Sequence, residues 1–314
     1  MLPEAFDTLW ALSALRVAVE HGALSALASG PRSVTELARE SQLDGTIGER
    51  IFDVLAAHGL LGRSGDQLSL TDKGRALAAR GDALRADLAV TFGLTRALVE
   101  DARTGTLSSG WKPRDPEIVR AQAALAHGMT LQMARPMSEV WPELGRAFER
   151  EGAVYVDVGV GAAGGACAMC KLYPKLRVVG LDPLPAALVE ARATVAAHGL
   201  GDRIELRAQR GDELTERHAF DVAFLPAKFF DDASLESSLR ALSTALKPDG
   251  FLLTGAWRDV GDDRASAVSK LREQVSGGGP RPTEVVTAML QQAGFREVRV
   301  GPSSGSMVPI LARR

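Results

Sequence analysis

The stretch that most limits what this chain can fold into runs from residue 153 to residue 182. It opens Ala-Val-Tyr-Val-Asp-Val-Gly-Val-Gly-Ala-Ala-Gly-Gly and closes Val-Val-Gly-Leu-Asp. Val154, Tyr155, Val156 and Val158 read as a buried strand. Gly159, Gly161 and Gly164 turn the chain into a helix, and a second apolar strand, Arg177 to Leu181, ends on Asp182. Strand, glycine turn, helix, strand, acid is the nucleotide-binding half of a doubly wound parallel sheet. Glycines let backbone pass close to a ligand with no Cβ in the way. The helix behind the turn directs free N–H groups and partial positive charge at whatever sits there. Asp182, at the carboxyl end of its strand, is placed to accept hydrogen bonds from both hydroxyls of a ribose.

Two cofactors fit that frame. Gly159-x-Gly161-x-x-Gly164 followed by an acid satisfies the dinucleotide fingerprint. Asp157, just ahead of the first glycine, argues for S-adenosylmethionine (SAM) instead. A pyrophosphate has no use for a carboxylate at the strand mouth. SAM carries an ammonium and a sulfonium and no phosphate, so an acid there, acting directly or through water, suits it. A strand-end Asp that merely caps the next turn is the bland alternative.

A length of 314 residues suggests about two domains, and a hydrophobic share of 46% is ample for their cores. The net charge of −2 offers no general attraction to nucleic acid or to an anionic membrane. No apolar run is long enough to span a bilayer, and the start of the chain (Pro3, Glu4, Asp7) lacks the basic region of a secretory signal. The expected location is the cytoplasm. Cys167 and Cys170 form a C-x-x-C inside the helix after the glycine turn. A zinc site needs further Cys or His at suitable spacing and none stands out, so no metal is expected and the pair reads as buried packing.

Ahead of the glycine turn, residues 4 to 20 carry apolar positions at helical spacing, and His21 to Leu27 reads as a short apolar turn. Ser33-Val-Thr-Glu36 and Thr46-Ile-Gly-Glu49 are capping-box patterns that open two helices. Leu60 to Gly62 and Gln67 to Leu70 read as short strands around Ser64-Gly65-Asp66, followed by a helix from Asp72. Three helices and a wing make a winged helix-turn-helix over residues 1–82. Its second helix offers Glu49, Arg50, Asp53 and His58, a poor phosphate track, so dimerisation or a lid is expected in place of DNA binding. Residues 83–150 read as helical connectors and a substrate lid, interrupted by Ser108 to Pro116 and by Pro136 and Pro142. Met129, Met133, Met137 and Trp141 recur at helical spacing. The stripe suits a core, and Met129 and Met133 also suit an adaptable substrate pocket.

Behind Asp182 the alternation of helix and strand continues through residues 151–314. Strands are expected at Arg203 to Ala208, Phe220 to Leu225 and Phe251 to Ala256, the last behind a Lys247-Pro-Asp-Gly250 turn. Helices are expected at 185–198, 235–246 and 264–275, with one capped by Thr283. Phe295 to Val300 and Met307 to Leu311 have only a loop between them, so they must pair antiparallel or sit apart.

Asp157-Val-Gly-Val-Gly161, Asp182, Leu246-Lys-Pro-Asp-Gly250 and Ala293-Gly-Phe-Arg-Glu-Val298 resemble the signposts of class I SAM-dependent methyltransferases. Glu36-Leu-Ala38, His58-Gly-Leu-Leu61 and Leu70-Thr-Asp-Lys-Gly74 resemble the winged-helix dimerisation domain of small-molecule O-methyltransferases. The resemblance implies an α/β fold with a Rossmann-like seven-stranded sheet, an N-terminal α-helical winged-helix domain and a homodimer. It implies SAM held by Asp157, Gly159 and Gly161 at its methionine portion and by Asp182 at its ribose. Gln209 and Asp212 would lie near the adenine, and Leu225 to Phe230 beside sulfonium and acceptor, which places Lys228 and Phe229 at the chemistry.

The resemblance breaks at one point. Relatives of this type commonly carry a His soon after the fourth strand, where this chain has Pro226-Ala-Lys-Phe-Phe-Asp-Asp232, and no His follows His218. A phenol normally needs a base, whereas a carboxylate, a neutral amine or a self-activated carbon does not. The expected activity is therefore methyl transfer driven by proximity to a small-molecule or peptide-derived acceptor, at oxygen, carboxyl, nitrogen or carbon. His127 is the candidate substitute base, Lys228 a candidate for orienting an anionic substrate, and Trp257, ending the fifth strand, a further substrate contact. The competing readings are a SAM-binding protein that no longer methylates, a ligand-sensing winged-helix regulator and an NAD-dependent oxidoreductase.

Overall fold

The computed structural model describes residues 2–105, 115–303 and 305–314. Most of the expected break at Ser108 to Pro116 lies outside these residues. The chain divides into two compact units, Met1–Phe92 and Gly93–Arg314.

The first unit holds α1 (Leu2–Glu20), α2 (Ala23–Ala28), β1 (Arg32–Ser33), α3 (Val34–Glu40), α4 (Gly45–Ala57), β2 (Leu61–Ser64), β3 (Gln67–Leu70) and α5 (Asp72–Ala78). Its core gathers Leu15, Leu24, Leu37, Phe52, Leu55 and Leu68. The Ser33–Glu36 capping box forms as the sequence predicts, each partner satisfying the other's backbone N–H. The second pattern does not. Asp44, not Thr46, caps α4 by accepting from the N–H groups of Thr46 and Ile47, because an upstream carboxylate reaches the free donors first. The apolar stretch after His21 is the helix α2 rather than a turn. The short β1 is not evident in the sequence and pairs antiparallel with β3, giving a three-stranded sheet in the order β1-β3-β2.

α6 (Asp82–Thr104) spans the boundary between the units. In the second unit α7 (Pro116–Val140) runs straight through Pro136, against the expected break, and only Pro142 opens a new helix, α8 (Pro142–Glu149). There follow β4 (Val154–Val158), α9 (Gly164–Leu172), β5 (Arg177–Leu181), α10 (Pro185–Ala197), β6 (Ile204–Arg207), β7 (Phe220–Leu225), α11 (Asp232–Ala245) and β8 (Leu246–Trp257). α12 (Asp263–Val275), α13 (Thr283–Gln292), β9 (Arg296–Val300) and β10 (Met307–Arg313) complete the unit. Short 3-10 turns at Gly211–Glu213 and Ala227–Phe229 follow β6 and β7. Lys247 to Gly250, expected as a turn, lies within the span of β8, with a register irregularity against β7. Thr283 is the first residue of α13 and Pro282 occupies its N-cap position without a side-chain bond.

The seven strands of this unit form one sheet in the order β6-β5-β4-β7-β8-β10-β9. β4 to β8 are mutually parallel, and β10 is antiparallel to both β8 and β9. One face of the sheet is covered by side chains of α8, α9 and α10, including Leu144, Phe148, Cys167 and Leu188. The other is covered by α11 and α13 through Leu235, Leu239, Leu242, Val286 and Leu290. Strand order reverses between β4 and β7, and sheets of this kind bind ligands outside the carboxyl ends of their strands at that point. Among the described residues no helix is long and apolar enough to cross a membrane.

Candidate active site

The carboxyl ends of β4, β5 and β7 carry nearly every residue singled out for the cofactor. Val158 pairs with Leu181, which pairs with Arg207, so Gly159, Asp182 and the segment after β6 leave the sheet at one level. The glycine turn is fixed to the next strand: the N–H groups of Gly159 and Val160 both donate to the carbonyl of Leu181, at 2.8 and 2.9 Å. Gly159 and Gly161 have φ of 75° and 56°, which side chains other than glycine resist. Around Gly161 a Cβ would meet nothing within 4 Å, so the space beside it is open to a ligand.

Gly164 answers to a different constraint. A Cβ there would stand 1.9 Å from the carbonyl oxygen of Ala123, so this glycine lets α7 lie against the start of α9. His127 ties the same contact, its Nδ1 lying 3.1 Å from the carbonyl oxygen of Gly164, which can only accept. Its ring also meets that of His198 at 5.4 Å between centroids. Met133 packs against the core below this contact, and Met129 stays exposed.

Asp182 is buried. Its two carboxylate oxygens accept from the N–H groups of Gly161 and Leu184, both at 2.9 Å, which aims the carboxylate across the glycine turn with lone pairs to spare. Asp157 is equally buried, yet its carboxylate makes no hydrogen bond to any described residue. Burial first, and then the nearby Asp182, push it up to about 7. Burial raises Asp182 as well, against the two N–H groups that lower it. Opposite Asp157 stands Gly165, where an added Cβ would be 3.9 Å from Oδ2 and 3.6 Å from the Thr130 hydroxyl of α7. A buried carboxylate without a partner, facing a glycine, is a site that asks for a cation. The ammonium and sulfonium of SAM meet that requirement and a diphosphate does not.

The other expected contacts are more heavily engaged with protein. Gln209 donates to the carbonyl of Glu213 at 2.8 Å. Asp212 is paired with Arg210 and accepts from Ser237 at 3.3 Å. Leu225 is fully buried, and its carbonyl accepts from the Thr254 hydroxyl at 2.6 Å. Trp257 is also buried, with its indole N–H donating to Ser269. Phe229 lies under the Lys228 ammonium, 4.8 Å from ring centroid to Nζ. Cys167 and Cys170 are buried and unpaired, and burial pushes both thiols up to about 11, so neither is a nucleophile at neutral pH. Among the described residues no group of three or more His, Cys, Asp or Glu is placed to hold a metal.

Other contributors carry no clear sequence signal. Phe230 and Pro226 close over the glycine turn, their nearest atoms 3.7 and 3.9 Å from where a Gly159 Cβ would be. Thr130 and Gly165 complete the surroundings of Asp157. Arg281 is a buried guanidinium that organises the segment after β7.

Comparison with known proteins agrees with this geometry. Residues 156–250 match the family model described as a methyltransferase domain. Over 97% of its length the chain is 27% identical to the mitomycin biosynthesis 6-O-methyltransferase of Streptomyces lavendulae, covering 91% of that protein. Among solved structures, the mitomycin 7-O-methyltransferase superposes with a TM-score of 0.74 at 24% identity, covering all of this chain and 96% of the other. Human N-acetylserotonin methyltransferase in complex with SAM superposes at 0.66 and 20% identity, over all of this chain and 96% of its own. The fold is that of the class I SAM-dependent methyltransferases. Within it, residues 156–250, the span that matches the methyltransferase-domain model, hold the glycine turn and both acids.

Proposed function

We propose that this protein is a SAM-dependent methyltransferase that acts on a small-molecule acceptor in specialised metabolism. The observation that carries the reading is Asp157, buried, without a hydrogen bond to any described residue, and set at the mouth of the glycine turn opposite Gly165. When bound, SAM supplies an electrophilic methyl group on a sulfonium, with a good leaving group built in. The protein's own residues then have to hold, orient and exclude water. Asp157 pairs with the cationic tail, Gly159 and Gly161 admit it, and Asp182 takes the ribose hydroxyls. Pro226 and Phe230 shield the turn from water, and alignment of the acceptor supplies much of the acceleration. Oxygen is the favoured methyl acceptor, since the two mitomycin enzymes the chain is similar to are named as O-methyltransferases.

The first unit fits a dimerisation domain of winged-helix type. α1 exposes Phe6, Leu9 and Trp10 (60, 53 and 72% exposed) at helical spacing, an apolar stripe left open by the described residues of the unit. The cations of α4 and the hairpin are committed elsewhere: Arg50 and Arg63 both bond Asp53, which weakens a DNA-binding reading. A cytoplasmic setting suits the unpaired cysteines.

Thermal denaturation with SAM, with S-adenosylhomocysteine (SAH) and with NAD tests the cofactor directly. A ligand at 100 times its Kd adds about 2.7 kcal/mol. SAM and SAH are expected to raise the melting temperature by several degrees and NAD to leave it unchanged. Stabilisation by NAD alone would overturn the reading. Release of SAH with a panel of phenols, carboxylic acids and amines then separates a methylating enzyme from a protein that only binds the cofactor.

A further inference from the structure

Two loops at the carboxyl end of the sheet are clasped together, and the clasp presents a lysine. Arg281, between α12 and α13, is 7% exposed. It donates to the carbonyl of Ala227 at 2.9 Å, to the carbonyl of Phe230 at 2.7 Å and to the Asp232 carboxylate at 2.7 and 2.8 Å. Gly278 adds a fourth tie, its N–H donating to the carbonyl of Lys228 at 2.8 Å. No larger residue fits there, since a Cβ on Gly278 would lie 2.6 Å from both Arg281 Nη1 and the Lys228 oxygen. The backbone from Ala227 to Phe230 is thus tied to the segment after α12 at the carbonyls of Ala227, Lys228 and Phe230.

A loop held this firmly fixes what its side chains face. Phe230 lies over Gly159, and Lys228 rides on the Phe229 ring at 4.8 Å. Among the described residues no carboxylate stands within ion-pair distance of Lys228. Glu273 and Arg272 of α12 act on it from further off with opposite signs, Glu273 the more strongly of the two. Lys228 is exposed as a residue, and desolvation lowers its pKa from the usual lysine value. An exposed ammonium on a fixed loop, with no carboxylate of the described residues within ion-pair distance, is open to an anion that arrives beside it. The solvent access matters as much, because an anion can reach the group.

We infer that Lys228, positioned by the Arg281–Gly278 clasp, is the acceptor-side cation of the site, and that the acceptor presents an acidic oxygen to it as an oxyanion. The inference rests on the methyltransferase reading and deepens it. An oxyanion drawn to the sulfonium would gain from Lys228 as well, and a neutral amine would gain from neither. The proton of such an acceptor is lost to water on ionisation, and Lys228 keeps its own throughout. Arg281 is a positioning residue here, acting only through the loop.

The test uses the full chain saturated with SAH, and 4-nitrophenol as a probe whose absorption reports its ionisation. Bound nitrophenol is expected to ionise about one pH unit lower than in free solution, a preference of about tenfold for the phenolate. Lys228→Arg should keep that shift and Lys228→Met should abolish it, with the SAH-induced rise in melting temperature intact in both. Arg281→Met should lose most of the shift although Lys228 is present, and Arg281→Lys should recover part of it. An unshifted nitrophenol in the wild-type complex overturns the inference, as does a shift that survives Lys228→Met. If SAH stabilises the protein in those same samples, the cofactor reading stands while the inference falls. If SAH fails to bind the wild type, both fall.

Discussion

At the residue scale the chemistry turns on one carboxylate. Asp157 titrates near 7 in the ligand-free fold, against 3.8 for an ordinary Asp. The folded protein therefore binds this proton more tightly than the unfolded chain does. Ionisation costs stability that is absent below the unfolded pKa, grows between about pH 4 and 7, and is complete above it, at most about 4 kcal/mol. Asp157→Asn is expected to raise the ligand-free melting temperature at pH 8 and to leave it near wild type at pH 4. The same substitution removes the partner of the cationic tail, so SAH affinity should fall at least about tenfold. In the wild type, cofactor affinity should climb with pH up to about 7 and level off above it. Calorimetry in buffers of different ionisation heat should find proton release at pH 6 and almost none at pH 8. A flat affinity across this range would remove Asp157 from the cofactor site.

At the scale of elements, the glycines after β4 do separate jobs that spacing alone does not distinguish. Gly161 holds a φ of 56° in open space, and Gly164 is where α7 meets α9. Gly161→Ala should cost about 1–2 kcal/mol of backbone strain, leave the protein folded, and cut SAH affinity sharply as the methyl enters the ligand's space. Gly164→Ala has a Cβ 1.9 Å from a carbonyl oxygen and should destabilise the second unit by several kcal/mol, because two helix backbones cannot both give way. Circular dichroism melts beside SAH titrations would separate the two effects. Equal loss of stability in both variants would mean that the turn has one role. The sequence assigns Gly159 and Gly161 to the cofactor and leaves Gly164 without a partner of its own. Sequence spacing cannot reveal that Ala123, far upstream on α7, lies against the third glycine.

At the scale of the whole molecule, α1 carries the strongest unpaid hydrophobic exposure in the first unit, at Phe6, Leu9 and Trp10. Buried apolar surface contributes about 25 cal/mol per Å², so covering three large side chains twice over in a symmetric pair is a substantial drive to associate. The wild type is expected to sediment as a dimer, and Leu9→Asp with Trp10→Glu to shift it to monomer while SAH still stabilises it. A wild type that sediments as a monomer at micromolar concentration would end the dimer proposal. The proposal and the cofactor site are thus testable apart, one on each unit.

The sequence by itself determined the alternating strands, the glycine turn and the two acids at strand ends, and it narrowed the final two strands to an antiparallel pair or none. Each of these depends on neighbours along the chain: apolar runs, turn residues and the lengths of connections. It misjudged Thr46, Pro136 and Lys247 to Gly250, where a competing cap, a tolerated proline and a neighbouring strand overrode the local signal. Only the tertiary structure decided that Asp157 has no hydrogen-bond partner among the described residues, that Gly164 packs against α7, and that Arg281 clasps the loop bearing Lys228. Those are contacts between segments far apart in sequence, and a solitary carboxylate or a buried guanidinium acquires its energy from what surrounds it, which no local pattern encodes.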